Sequence, residues 1–297
     1  MSEVKQEVRE FYDRVGWMKL ADSVYQNARY EDLRPVSRHY IHDCHMRVAR
    51  YIEPSGRFFL DAGSGPIQYP EYLEYSHGFD YRVCADISIT ALYEARSRIG
   101  ERGLFVVADV ANLPFKKQCF EGIVSLHTIH HLAEDEQAQA YLELHRVLAS
   151  HRTAVVVNGW SHSAILAIFE PFIKAANWIR NQVDRVSRQE KTPAKEIPGN
   201  GRYSNRQIHV EDANPKGTHT SKHDFSWLEE QVASRIPLEI YVWRTVSVRF
   251  LRALIHPMLG GSILLKLLYA LEESYPRFLG KYGKYPLIII HRRQEEV

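Results

Sequence analysis

The chain has 297 residues, 45% of them hydrophobic and 25% charged, with 38 basic and 36 acidic side chains and a net charge of +2. This balance is that of an ordinary globular protein and excludes wholesale disorder, a collagen-like fibre or a disulfide-stapled miniprotein. It carries no nucleic-acid footprint, and three widely spaced cysteines, Cys44, Cys84 and Cys119, fit reduced thiols and a cytoplasmic location.

The N-terminal stretch MSEVKQEVREFYDR is charged throughout and lacks the apolar core of a signal peptide. Residues 1–53 read as a helical segment. Within it Tyr40, Ile41, Cys44, Val48, Tyr51 and Ile52 recur at helical spacing, and Pro54-Ser55-Gly56 breaks it. His39, His42 and His45 share that helix at three-residue steps. Each step rotates by about 300°, so the rings diverge, and a packed surface is preferred to a metal site.

Five short apolar runs follow: Arg57–Asp61, Arg82–Asp86, Leu104–Asp109, Gly122–Leu126 and Thr153–Val157. Helical stretches lie between them, including Thr90–Ile99 and Glu134–Leu148. In the latter, Ala138, Tyr141, Leu142, His145 and Leu148 are assigned to one face. Alternation of this kind predicts βαβ units and a parallel sheet covered by helices on both faces.

After the fifth run the pattern changes. Ser161–Val183 reads as a helix whose apolar side holds Ile165, Leu166, Ile168, Phe169, Phe172 and Ile173. Residues 161–220 form an insertion, ending in a polar stretch with no sustained period. Ser221 is the expected cap of the next helix, with Asp224 at the capping-box position. Leu238–Val248 alternates as a strand, residues 249–280 form a helical insertion, and Tyr285–His291 is the closing strand. The apolar stretch Ala253–Leu265 is too short for a membrane span. A buried helix pair broken around Pro257–Gly261 is preferred to contact with a membrane surface.

The sharpest feature is Leu60-Asp61-Ala62-Gly63-Ser64-Gly65-Pro66, where glycines at alternate positions let the chain turn tightly at a strand end. Such a turn sits where α/β sheets bind nucleotides. About 20 residues on, Asp86 ends the next strand, where an acid can hold ribose hydroxyls. Asp109, followed by Val110, ends the third and suits an adenine edge. Ser125-Leu126-His127-Thr128-Ile129-His130-His131-Leu132 closes the fourth strand before a helix.

Together these residues resemble the class I S-adenosylmethionine-dependent methyltransferases of the small-molecule kind. The resemblance covers residues 57–160 closely and 221–293 more loosely. It implies a Rossmann-like sheet of seven strands, mostly parallel, with an antiparallel last strand and helical lid insertions. The implied organisation is an N-terminal helical lid (1–53), a cofactor-binding core (54–160), a substrate lid (161–220) and the rest of the core sheet (221–297).

The resemblance assigns S-adenosylmethionine as cofactor and S-adenosylhomocysteine as product. Asp61, Ala62, Gly63 and Gly65 would lie along its methionine part. Asp86 would hold the ribose, Ile87 pack on the adenine, Asp109 and Val110 read its edge, and Leu126 and His127 sit beside the sulfonium. His127, His130 and His131 are candidate bases, and Tyr12, Tyr203 and Arg206 candidate substrate contacts. The implied reaction is methyl transfer to a small-molecule acceptor, a natural-product, sugar or lipid-like intermediate, with oxygen favoured over nitrogen or carbon. The alternatives are a nicotinamide-dependent oxidoreductase and a non-catalytic protein of the same fold. The family often carries a further glycine shortly after Gly65, where this chain has Pro66-Ile67-Gln68.

Overall fold

The computed structural model describes residues 3–17, 31–189 and 218–293. The N-terminal helix α1 (Glu3–Phe11) runs into a π-helical turn, Tyr12–Gly16. Helix α2 (Arg38–Ala49) precedes β1 (Gly56–Ala62), α3 (Glu71–Glu74), β2 (Phe79–Asp86), α4 (Ile89–Ile99) and β3 (Gly103–Val107). Then come β4 (Gly122–Leu126), α5 (Glu134–Val147), β5 (Thr153–Val157) and α6 (Ala164–Gln189). After the second described stretch follow α7 (Phe225–Leu228), β6 (Leu238–Arg244), α8 (Val248–Leu254), α9 (Gly261–Ser274), α10 (Pro276–Tyr282) and β7 (Tyr285–His291).

The seven strands form one sheet in the order β3-β2-β1-β4-β5-β7-β6. Neighbours from β3 to β5 pair in parallel, and β7 runs antiparallel to both β5 and β6. This is the expected mixed sheet with an antiparallel last strand. Successive strand residues point to opposite faces, so each strand feeds two cores. Leu60, Ile123, Val156 and Ile288 pack under α5 and α7, while Phe59, Val124, Val155 and Ile289 pack under α2, α4 and α8. Burial on both faces explains the near-continuous apolar runs. The carboxyl ends of β1, β2 and β4 meet at the centre of the sheet, where the order reverses.

Several expectations shift. The third strand stops at Val107, two residues before Asp109, because the Asp109 carboxylate accepts the Ala111 N–H at 2.9 Å and turns the chain. The sixth stops at Arg244, because Ser247 caps α8 by accepting the Phe250 N–H. Ser221 caps no helix; its hydroxyl donates to Glu134, and Asp224 caps α7 by accepting the Trp227 N–H at 3.0 Å. On α5 the buried apolar residues are Ala140, Tyr141, Leu144 and Val147, while Ala138, Leu142 and His145 are half-buried.

Two apolar faces are less covered than expected. On α6, Ile173 is buried, but Ile168 and Phe172 are exposed. The Pro257 region does break a helix pair, but the pair is only partly buried: α8 buries Phe250 and Leu251 and α9 buries Leu265, whereas Met258 and Leu259 at the break are 88% and 83% exposed. No helix among the described residues is long and apolar enough to cross a membrane. The histidines of α2 diverge: His39 and His42 face outward, while His45 is buried against Tyr69, Tyr72 and Trp243.

Candidate active site

At the carboxyl ends of the central strands lies a cavity of about 530 Å³. Asp61, Gly63, Gly65, Asp86, Ile87, Asp109, Val110, Leu126, His127, His130, His131 and Tyr12 all line it. Residues up to 70 positions apart in sequence are thus brought to one surface by the ends of four strands, β1 to β4, and Tyr12 is added from the N-terminus. Ala62 is fully buried beneath the turn and does not line the cavity. Tyr203 and Arg206 lie outside the described residues.

The glycine turn is held by its neighbours. Gly63 and Ser64 donate their N–H groups to the Ala85 carbonyl of β2, and Gly65 donates to Asp86 Oδ2 at 2.8 Å. Gly63 has φ +76°, and a Cβ there would stand 2.2 Å from Thr128 Cγ2. That close approach and the left-handed backbone both require glycine. Thr128 in turn donates its hydroxyl to the Gly63 carbonyl at 3.2 Å. Where the family often has a later glycine, Ile67 adopts φ +56°. The turn's left-handed step is therefore kept by a β-branched residue, which is fully buried.

The acids differ in their partners. Asp61 is buried and ion-paired with Arg82, whose guanidinium also donates to the Tyr72 carbonyl. Burial raises the Asp61 carboxyl, and Arg82 opposes the rise. Asp86 accepts only N–H groups, from Gly65 and from Ser88 at 2.8 Å, and has no cation within ion-pair distance among the described residues. Burial pushes its carboxyl up to about 6. Asp109 pairs with Lys5 of α1, which also reaches Glu136.

The N-terminal segment roofs the cavity. Lys5, Val8, Phe11, Tyr12 and Trp17 face it, and Asp13 accepts the Ser88 hydroxyl at the start of α4. Tyr12 and Trp17 stack with ring centroids 5.0 Å apart.

The three candidate bases are not equivalent. His131 Nδ1 lies 2.9 Å from the His219 carbonyl, an acceptor, so Nδ1 carries the proton. His131 Nε2 then accepts the Tyr12 hydroxyl at 2.9 Å, and both nitrogens are occupied. His130 Nδ1 faces the Asn158 side-chain oxygen. His127 has φ +56° and turns its ring towards Trp243 and Tyr285, and neither ring nitrogen has a hydrogen-bond partner among the described residues. Burial, aided by nearby Arg244, pushes His127 down to about 3, and burial pushes His131 down to about 4. Burial lowers His130 as well, so all three are neutral imidazoles at pH 7.

Beyond His127 the cavity is lined by residues that no local motif announced: Glu31, His45, Tyr69, Tyr72, Lys222, Arg244 and Tyr285. Arg244 is 2% exposed, pairs with Glu31 at 2.7 Å and lies over the rings of Trp243 and Tyr285. The sequence signal for Arg244, and for Arg82 beside Asp61, was a charge inside an apolar strand, Tyr-Val-Trp-Arg in β6 and Tyr-Arg-Val-Cys in β2. Buried charges in such runs need a dedicated partner. Lys5, Val8 and Tyr12 share a helical face at i, i+3 and i+7.

Residues 60–156 match the family model of a methyltransferase domain. No curated protein matches the chain. Among solved structures, geranyl diphosphate C-methyltransferase from Streptomyces coelicolor is 12% identical, with 98% of each chain covered and a TM-score of 0.53. Phosphoethanolamine N-methyltransferase 2 of Haemonchus contortus is 13% identical over 97% of this chain and 60% of that chain, with a TM-score of 0.52. A putative methyltransferase of Haloferax volcanii, solved with the Trm112 activator, is 13% identical over 87% of this chain and 92% of that chain, with a TM-score of 0.50. At these identities the likeness is one of fold, and the fold is that of the class I S-adenosylmethionine-dependent methyltransferases.

Proposed function

We propose that this chain, whose residues 60–156 match a methyltransferase domain, binds S-adenosylmethionine in the acid-lined half of its cavity and transfers the methyl group to a small molecule in the other half. The Streptomyces and Haemonchus structures were solved with S-adenosylhomocysteine and S-adenosylmethionine respectively. The observation that carries the reading is Asp86. It is a buried carboxylate that faces the cavity, has no cation beside it among the described residues and retains unused acceptor positions. Two adjacent ribose hydroxyls are donors of the right number and spacing.

The chain's own groups then have distinct tasks. Asp86 holds the ribose, Ile87 supports one face of the adenine, and Asp109 with the Val110 N–H reads its edge. Gly63 and Gly65 let the chain pass close to the methionine part. Leu126 and His127 border the reacting centre. When bound, the cofactor supplies an electrophilic methyl group on a sulfonium. The protein contributes alignment of acceptor and methyl carbon, which can by itself supply much of the rate. His127 has free ring nitrogens but, at about 3, is a weak base. Positioning therefore outweighs proton abstraction, and oxygen is kept ahead of nitrogen or carbon as acceptor atom in an ionised form, which needs no base. Residues 3–17 act as a lid, because Lys5, Val8, Phe11, Tyr12 and Trp17 cover the cavity from one side.

Calorimetric titration with S-adenosylhomocysteine tests the reading. Wild-type protein should bind it and Asp86→Ala should lose about 1–3 kcal/mol, the cost of leaving buried polar partners unmet. Equal affinity of the two proteins removes Asp86 from the ribose role. Tighter binding of NAD than of S-adenosylhomocysteine would favour the oxidoreductase alternative.

A further inference from the structure

The half of the cavity beyond His127 holds positive charge that its surroundings do not balance. Lys222 projects into it from the segment before α7, and its ammonium has no hydrogen bond or ion pair among the described residues. The backbone on either side is pinned. Ser221 donates its N–H to the His130 carbonyl at 2.9 Å and accepts from Gln137 at 3.0 Å, while the His223 carbonyl accepts the Ser161 N–H at 2.9 Å. His223 stacks on Trp227 with centroids 3.8 Å apart. The lysine is therefore presented to the cavity by fixed neighbours, not left trailing in solvent.

Two more cations stand near it. Lys284 donates to the Trp160 and Ser161 carbonyls, and burial together with Lys222 pushes it down to about 8. Arg244 is spent on Glu31, and its Nε has no partner. Of the charged side chains lining this half among the described residues, Lys222 and Arg244 stand against the one carboxylate of Glu31, which Arg244 takes, and Lys284 adds positive charge from behind the lining. Its histidines add no charge, but they add donors. Among the described residues His45 Nε2 is fully buried without a partner, and neither ring nitrogen of cavity-lining His127 has one. Trp243 lies between these rings, 5.3 Å from His45 and 4.9 Å from His127. A half-buried ammonium without a counter-ion is costly, and an incoming anion would remove that cost.

Resting on the methyl-transfer reading above, we propose that the acceptor carries an anionic group, a carboxylate or a phosphate, received by Lys222 with neutral His127 and His45 as neighbouring donors. The shared chemistry is an oxyanion of one or two charges. Its carbon skeleton lies against Tyr69, Tyr72 and Tyr285, whose rings line the same half. The anion thereby anchors the acceptor between Lys222, His45 and His127, and the reacting atom lies on the Leu126 side of His127.

The test uses the full chain saturated with S-adenosylhomocysteine and selectively ¹⁵N-labelled at histidine. Inorganic phosphate and butyrate are titrated separately, and the ring-nitrogen resonances are followed. A saturable shift with at least one of them is expected, and Lys222→Met should weaken it by roughly tenfold or more. Lys222→Arg should restore most of it. S-adenosylhomocysteine affinity, measured on the same Lys222→Met sample, should stay within about twofold, which also shows that the variant is folded. A response to phosphate alone identifies a phosphate ester as the acceptor class, and a response to butyrate alone a carboxylate. Absence of both responses in wild type, or their survival in Lys222→Met, overturns the proposal while leaving cofactor binding intact. Failure of wild type to bind S-adenosylhomocysteine would instead overturn the methyl-transfer reading, and the acceptor assignment with it.

Discussion

Asp61, Asp86 and Asp109 line one half of the cavity, and Lys222 and Arg244 line the other. The halves differ in origin as much as in charge. Each acid stands at or just past the end of one of three consecutive strands, β1, β2 and β3, so the sheet alone brings the three together. The cationic half draws on Glu31, α2, the segment before α7, the end of β6 and the start of β7, which meet only when the fold is complete. A site generated by a repeated strand-turn-helix unit is specified locally. A site assembled from distant segments depends on pairs such as Glu31 and Arg244, separated by 213 positions. The first half suits a ligand common to a fold, and the second suits one particular to this chain.

The largest expected effect comes from breaking that pair. Glu31→Gln keeps the shape but leaves Arg244 buried without its counter-charge, which should cost about 3–5 kcal/mol of stability. A thermal melt would register this as a drop in midpoint. The cofactor half should be spared, so S-adenosylhomocysteine affinity measured well below that midpoint stays near wild type. An equal loss in both measurements would mean that the halves are one cooperative unit.

The complementary break lies at Gly63. Alanine there must adopt φ +76° with its Cβ against Thr128, at about 1–3 kcal/mol. Cofactor affinity should fall with stability. Adding Thr128→Ala should recover the steric part and leave the backbone part. No recovery in the double variant would show that the clash is not the cause.

A third effect separates the halves by pH. Asp86 is held at about 6 in the folded chain against an ordinary 3.8. The native state therefore keeps this proton longer than the unfolded state does. Its contribution to stability is lost as pH rises from about 4 to 6. Ribose hydroxyls need the carboxylate, so cofactor affinity should run the other way. It should fall as pH drops below 6, by about tenfold or 1.4 kcal/mol per unit. Asp86→Asn should be weaker throughout and flat in this range. A slope that survives in Asp86→Asn would belong to another group.

Legibility in the sequence follows the same division. The boundaries of β4, β5 and β7 were readable as bounded apolar runs, and Asp61, Asp86 and Asp109 as acids that close or follow such runs, because both patterns are local. Lys5, Arg82 and Lys222 were not, since their meaning lies in partners, or the lack of one, set by tertiary packing. Ser221 misled for a related reason: as a candidate cap it is plausible, but Glu134, 87 positions away, takes its hydroxyl. The exposed Met258 and Leu259 likewise show that apolar composition predicts helices better than it predicts what covers them.

The smallest expected effect concerns the roof that spans both halves. Lys5 ties α1 to Asp109 and Glu136, while Tyr12 ties the following turn to His131. If residues 3–17 close over bound cofactor, Lys5 serves as a latch. A carboxylate oxygen accepts more than one hydrogen bond, so Asp109 can hold Lys5 and an adenine amino group together. Lys5→Met should therefore change the equilibrium affinity for S-adenosylhomocysteine little, within about 1 kcal/mol as for a partly exposed ion pair. Entry and release should both quicken, because loosening a lid lowers one barrier crossed in both directions. Stopped-flow association and chase experiments resolve the two rates. Faster release with unchanged entry would make Lys5 a direct cofactor contact, whereas a parallel rise in both fits a latch that neither half of the cavity owns.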